Sequence, residues 1–217
     1  MPVRIGLKHV VTPKETWSPE EAVQQYEAEP LYKGQIVFYG PSNFTRWSAA
    51  WGNVPLRECI LGASGNPCAV NRGFGSSNAE LQLYYYPRMV RPLEPKVLVY
   101  FPWGNQNDYT DEETWEIAQR VIAYTFADFP DAHVYLQGIY PLRNMTPARI
   151  EKCIRKNAWL KEFAEKTPNC FYLDAFSYEP LRNPDLFVKD GIHFNQEGYR
   201  VYEAFYKEAL KDELARF

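Results

Sequence analysis

Apolar residues cluster into five short runs rich in Val, Ile, Tyr and Phe: "QIVFYG" at 35–40, "CAVNRG" at 68–73, "KVLVYF" at 96–101, "AHVYLQG" at 132–138 and "CFYLDAF" at 170–176. Runs this short and this continuously apolar read as buried strands. The segments between and after them are longer and more polar, with helical periodicity. "DEETWEIAQRVIAYTFADF" sets Trp115, Ala118, Ile122 and Phe126 at helical spacing behind an acidic start near Thr110 and Asp111, as a helix N-terminus prefers. "TPARIEKCIRKNAWLKEFAEKTP" repeats the pattern, with an apolar stripe predicted from Ile150, Ile154, Ala158 and Leu160. "NQEGYRVYEAFYKEALKDELARF" predicts a third such helix. Strands alternating with helices require crossover connections, and these predict a mainly parallel, five-stranded sheet in an α/β/α sandwich.

Residues 1–33 fit this alternation least. They read as an irregular arm and a short helix starting near Ser18 and Pro19, where a capping serine precedes a proline and two glutamates. With no repeat, low-complexity tract or Gly/Ser linker, all 217 residues are expected to form one domain.

Composition narrows the function classes. A formal net charge of −3, with both signs mixed along the chain, offers no basic stripe for phosphates, so nucleic acid is not an expected partner. No apolar run approaches the roughly 20 residues of a membrane span, and the N-terminus lacks a secretory core. A cytoplasmic protein is the expectation. The cysteines at 59, 68, 153 and 170 form no C-x-x-C pair and have no histidine at zinc-like spacing, which predicts buried thiols and no metal. A Cys59–Cys68 bridge would fit only an exported protein. The composition does not indicate an oligomeric state.

Candidate chemistry starts at "IVFYGPSNF", where a strand ends on Gly40, Pro41 and Ser42. Ligands of open α/β sheets bind beyond the carboxyl ends of strands. "NFTRWSAAW" can begin a helix there, so a serine hydroxyl could attack a carbonyl beside free backbone N–H groups. A plain helix cap is the alternative. Only three histidines could serve as its base. His9 lies in the arm beside no acid, and His133 begins a predicted strand, where a structural role is expected. His193 follows Asp190 by three residues in "KDGIHFNQEGY", with Gly191 allowing a tight turn. That spacing lets Asp190 orient the ring's inner nitrogen while the outer one faces Ser42; a structural Asp with a surface histidine is the alternative.

These segments form an ordered set. "FYGPSNFTRW", "NRGFGSSNAE", "VYFPWGNQND" and "DGIHFNQEGY" resemble, in order, the four blocks of the SGNH, or GDSL, hydrolase superfamily. The resemblance implies a flavodoxin-like fold and ester hydrolysis by Ser42, His193 and Asp190 without a cofactor. It also implies an oxyanion hole from the N–H of Ser42, a backbone N–H at Ser76 (Gly75 if the turn shifts by one) and the side-chain amide of Asn105, or of Asn107 if the third block is slipped. Pro41 stands where the family usually has Asp or Ser, and Trp103 where the third block has glycine.

Aromatic residues make up 16% of the chain, and Trp47, Trp51, Tyr84, Tyr85, Tyr86, Trp103 and Tyr109 fall on or beside these loops. Most are expected to be core. Trp103 and Tyr109 are candidates for contact with a sugar or aryl ring, and Arg46 for an acidic substrate group. The expected activity is a serine esterase acting on small esters, with O-acetylated carbohydrate as one substrate class. A lysophospholipase or thioesterase, or a glycan- or acyl-binding relative without turnover, are the alternatives.

Overall fold

The computed structural model describes residues 18–105 and 109–217; His9, Asn107 and most of the N-terminal arm lie outside them. All five predicted strands form: β1 (Ile36–Gly40), β2 (Ala69–Gly73), β3 (Val97–Tyr100), β4 (His133–Gln137) and β5 (Cys170–Leu173). They pair in parallel in the order β2-β1-β3-β4-β5. Every residue of β1 and β3 is buried, as expected of strands covered on both faces.

The helices are α1 (Pro19–Glu27), α2 (Ser42–Thr45), α3 (Leu56–Cys59), α4 (Ala79–Met89), α5 (Asp111–Asp128), α6 (Pro147–Lys166), α7 (Gln196–Ala209) and α8 (Lys211–Leu214). One face of β1 presents Phe38 to Phe44, Trp47 and Tyr206, and so to α2 and α7. The other presents Tyr39, whose hydroxyl donates to the Gln82 carbonyl of α4 at 2.6 Å. α5 packs against α4 on that side and meets α6 through Trp115 and Phe163, with ring centroids 5.4 Å apart. Helices on both faces make the three-layer α/β/α sandwich.

Local chemistry sets the helix starts where the sequence placed them. The Ser18 hydroxyl accepts from the Glu21 amide at 3.3 Å. At α5, Thr110 and Glu113 exchange side-chain and backbone bonds of 3.1 and 2.9 Å, a capping box. Two expectations are corrected. The helix beginning in "NFTRWSAAW" stops after one turn, and a separate 3-10 turn follows at Ala49–Trp51. On α6, Ile150, Ile154 and Ala158 face outward, while Cys153, Lys156, Asn157, Leu160 and Ala164 are buried. The apolar pattern misleads because two polar residues hold inward positions with partners waiting. Lys156 meets Asp111 at 2.8 Å, and Asn157 brackets the Ile139 backbone with bonds of 2.8 and 3.0 Å.

All four cysteines are free and buried, so Cys59 and Cys68 are not bridged. His133 bonds the Glu213 carboxylate, a structural tie between β4 and α8. No helix among the described residues is long and apolar enough to cross a membrane.

The end of β2 touches α2 closely. A methyl group on Gly73 would lie 2.0 Å from the Thr45 amide nitrogen and 2.4 Å from the Phe44 carbonyl carbon. Gly73→Ala should therefore destabilise the protein by about 1–3 kcal/mol through overpacking, seen as a lower denaturation midpoint.

Candidate active site

The strand order reverses between β1 and β3, and the crevice at the carboxyl ends of such strands is where open α/β sheets bind ligands. Ser42 stands there, as the first residue of α2, directly after β1. Its hydroxyl makes no cap bond; Pro41 holds the cap position instead. Ser42 Oγ lies 2.7 Å from His193 Nε2, and His193 Nδ1 lies 2.7 Å from Asp190 Oδ2.

The turn carrying His193 is closed by its own acid. Asp190 Oδ1 accepts from the amides of Ile192 and His193 at 2.8 and 2.9 Å, and Gly191 between them takes a φ of 70°, which a glycine adopts without steric cost. Arg46, at the end of α2, is 3.4 Å from Asp190 Oδ2 and stacks its guanidinium 4.3 Å over the Trp51 ring. Partial burial raises the Asp190 pKa, but the bonds from His193 and Ile192 outweigh it and bring it to about 2. Burial lowers the His193 pKa below the ordinary histidine value; Asp190 opposes that shift and Arg46 adds to it. A neutral imidazole beside a hydroxyl, with an ionised carboxylate behind it, can take a proton from that hydroxyl.

Supporting residues that local sequence signals barely mark hold these segments together. The Asn43 side-chain amide donates to the Tyr140 hydroxyl, which donates to the Ile192 carbonyl at 3.1 Å. The Tyr199 hydroxyl donates to the Asn43 carbonyl at 2.8 Å. Asn43 is 6% exposed and Tyr140 2%. The one available signal was a polar Asn directly after the serine in an otherwise apolar neighbourhood.

Two hollows flank Ser42. The first, of about 360 Å³, is lined by Ser42, His193, Trp103, Asn105, Lys156 and Arg149 among others. The second, of about 710 Å³, includes Ser42, Gly75, Ser76, Arg46, Trp51 and Tyr32. Asn105 thus shares a chamber with the serine and the histidine, and its backbone N–H donates to the Ser77 carbonyl at 3.2 Å. Ser76 takes a φ of 60°, in the left-handed region that favours glycine. Trp103 is 7% exposed and packs near Trp115 and Trp159. Tyr109 packs against the core and lines neither hollow. Tyr85 and Tyr86 are buried and Tyr84 is exposed, none of them lining either hollow. Among the described residues no group of three or more His, Cys, Asp or Glu side chains is placed to hold a metal ion.

A family model of the GDSL-like Lipase/Acylhydrolase family matches residues 38–201. The chain belongs to this family. Membership makes it a carboxylic ester hydrolase of the GDSL type. Solved structures agree on the fold. A candidate acylhydrolase from Bacteroides fragilis superposes with a TM-score of 0.69 at 22% identity, over 90% of this chain and 96% of the other. A GDSL-like lipase from Bacteroides thetaiotaomicron gives 0.67 at 20% identity, over 89% and 97%. A variant of an acetyl-xylooligosaccharide esterase from a Geobacillus gives 0.64 at 13% identity, over 82% and 95%. No curated protein matches the sequence.

Two measurements test the site. By NMR, His193 should titrate below 6.5, and Arg46→Gln should move its pKa upward, because a nearby positive charge disfavours the imidazolium. Ser76→Gly should raise stability by up to about 1 kcal/mol, the relief of a left-handed serine less the added freedom of the unfolded chain.

Proposed function

We propose that this GDSL-family hydrolase is a serine esterase that cleaves small carboxylic esters through an acyl-enzyme on Ser42. The observation that carries the reading is the continuous chain from Ser42 Oγ to His193 to Asp190, with both links at 2.7 Å.

In the first half-reaction Ser42 Oγ attacks the ester carbonyl and its proton passes to His193 Nε2. Asp190 stabilises the imidazolium and keeps the ring's tautomer. The oxyanion is bound by the Ser42 N–H, by the N–H of Ser76 or Gly75, and by the Asn105 side-chain amide, donors that strengthen as negative charge develops. Collapse breaks the bond to the alcohol, which leaves with the proton from His193. Water then attacks the acyl-enzyme, gives its proton to His193 and releases the acid, and the proton returns to Ser42.

Small substrates suit the surroundings of Ser42. Charged side chains line both hollows, Arg149, Lys152 and Lys156 in one and Glu29, Arg46 and Arg57 in the other, which disfavours a long alkyl chain. Trp51, 53% exposed and lining the larger hollow, offers a flat face on which a sugar ring could stack. O-acetylated carbohydrate is therefore the favoured alcohol class, in keeping with the esterase on acetyl-xylooligosaccharides that shares the fold.

Turnover of 4-nitrophenyl acetate and covalent labelling by a serine-directed phosphonate provide the test. Ser42→Ala should lower kcat by about 10⁴-fold or more and abolish the label. Equal turnover and equal labelling in the wild type and the variant would refute the reading.

A further inference from the structure

The smaller hollow beside Ser42 has a charge character that ester hydrolysis does not require. Its wall is formed in part by Arg149, Lys152, Cys153 and Lys156 of α6. They fall at i, i+3, i+4 and i+7, the spacing that lines one helix face. Three of the four are cations. Among the described lining residues there is no carboxylate. Burial raises the Cys153 thiol pKa, so the thiol contributes no negative charge at neutral pH.

Fold stability accounts for Lys152 and Lys156 but not for Arg149. The buried pair of Lys156 and Asp111, 2.8 Å apart, ties α6 to the start of α5. Asp111 is also 3.1 Å from Lys152 and 2.8 Å from Arg155. Arg149 has no ion-pair partner among the described residues. Like charges at i, i+3 and i, i+4 weaken a helix, and positive groups in its first turns oppose its dipole; α6 has no acidic residue in its first turn. A concave wall of one sign focuses its field on whatever enters the hollow.

Building on the esterase reading, we propose that this chamber selects esters carrying an anionic group, carboxylate or phosphate, and that Arg149 is the residue that engages it. The portion of the substrate in the smaller hollow would project its anion toward α6. A guanidinium at an accessible rim can meet an oxyanion through two parallel N–H bonds. Lys152, half-exposed, adds a second charge, and Lys156 lies beneath with its ammonium 4.4 Å from the centre of the Trp103 ring. With a volume of about 360 Å³, the chamber suits a short acidic chain or a phosphate.

The test compares matched pairs of esters. Monomethyl succinate against methyl butyrate places the charge on the acyl portion. Acetylglycerol phosphate against acetylglycerol places it on the alcohol portion. Acid release at low ionic strength gives kcat/KM for each. In at least one pair the anionic ester should lead by tenfold or more, and 0.5 M salt should remove most of that lead. Arg149→Gln should cut the ratio at least fivefold, Arg149→Glu should invert it, and Arg149→Lys should keep most of it. Arg149 is exposed, so these variants should fold, with circular dichroism as the check. Turnover with ratios near one in both pairs, or a preference that survives Arg149→Glu, would overturn the inference and leave the esterase reading standing. Absence of any ester turnover, together with absence of labelling at Ser42, would overturn both.

Discussion

The hydrogen-bonded link from Asn43 through the Tyr140 hydroxyl to the Ile192 carbonyl joins the short helix α2 and two loops that have no covalent reason to meet. One follows β1, one follows β4, and one precedes α7. Each is a short segment at the rim of the sheet, and a relative shift of about 1 Å between them would already spoil a proton-transfer geometry. Because the link is buried, every polar atom in it must find its partner inside the protein, and that requirement narrows the arrangements open to the loops. The 2.7 Å approach of Ser42 to His193 depends on this clamp as well as on the two residues themselves.

Beneath the clamp, the sheet supplies rigidity. β1 is buried along its whole length and has a parallel neighbour on each side, so the point at which it delivers Ser42 is fixed by two hydrogen-bonded ladders. The close approach of Gly73 to α2 sets the short helix directly over the end of β2. Arg46, sandwiched between Trp51 and Asp190, ties the same helix to the turn bearing His193.

Much of this was legible in the sequence because the signals were local. Continuous apolar runs marked all five strands. Thr110 and Ser18 marked helix starts through capping chemistry that needs only neighbouring residues. Ser42, Asp190 and His193 could be singled out because so few histidines compete and because Asp-Gly-x-His closes on itself. What stayed hidden depended on distant partners. Lys156 and Asn157 looked like solvent-facing residues until Asp111 and the Ile139 backbone supplied their reasons to be inside, and that shifted the buried face of α6 away from Ile150 and Ile154. Tyr140 was one aromatic among many, since nothing near it in the chain announces the Asn43 amide or the Ile192 carbonyl. Arg46, expected as a contact for an acidic substrate group, lies 3.4 Å from Asp190 and also lines the larger hollow beside Ser42, a placement set by residues far from it in the chain.

Ser42 and His193 are separated by 151 positions along the chain. During synthesis the serine therefore emerges long before its imidazole partner, and a ribosome-bound chain carries an ordinary, unactivated alcohol. Under the proposed mechanism, reactivity arrives only once the turn bearing His193 reaches the end of β1, so a truncated or half-assembled copy holds no primed nucleophile.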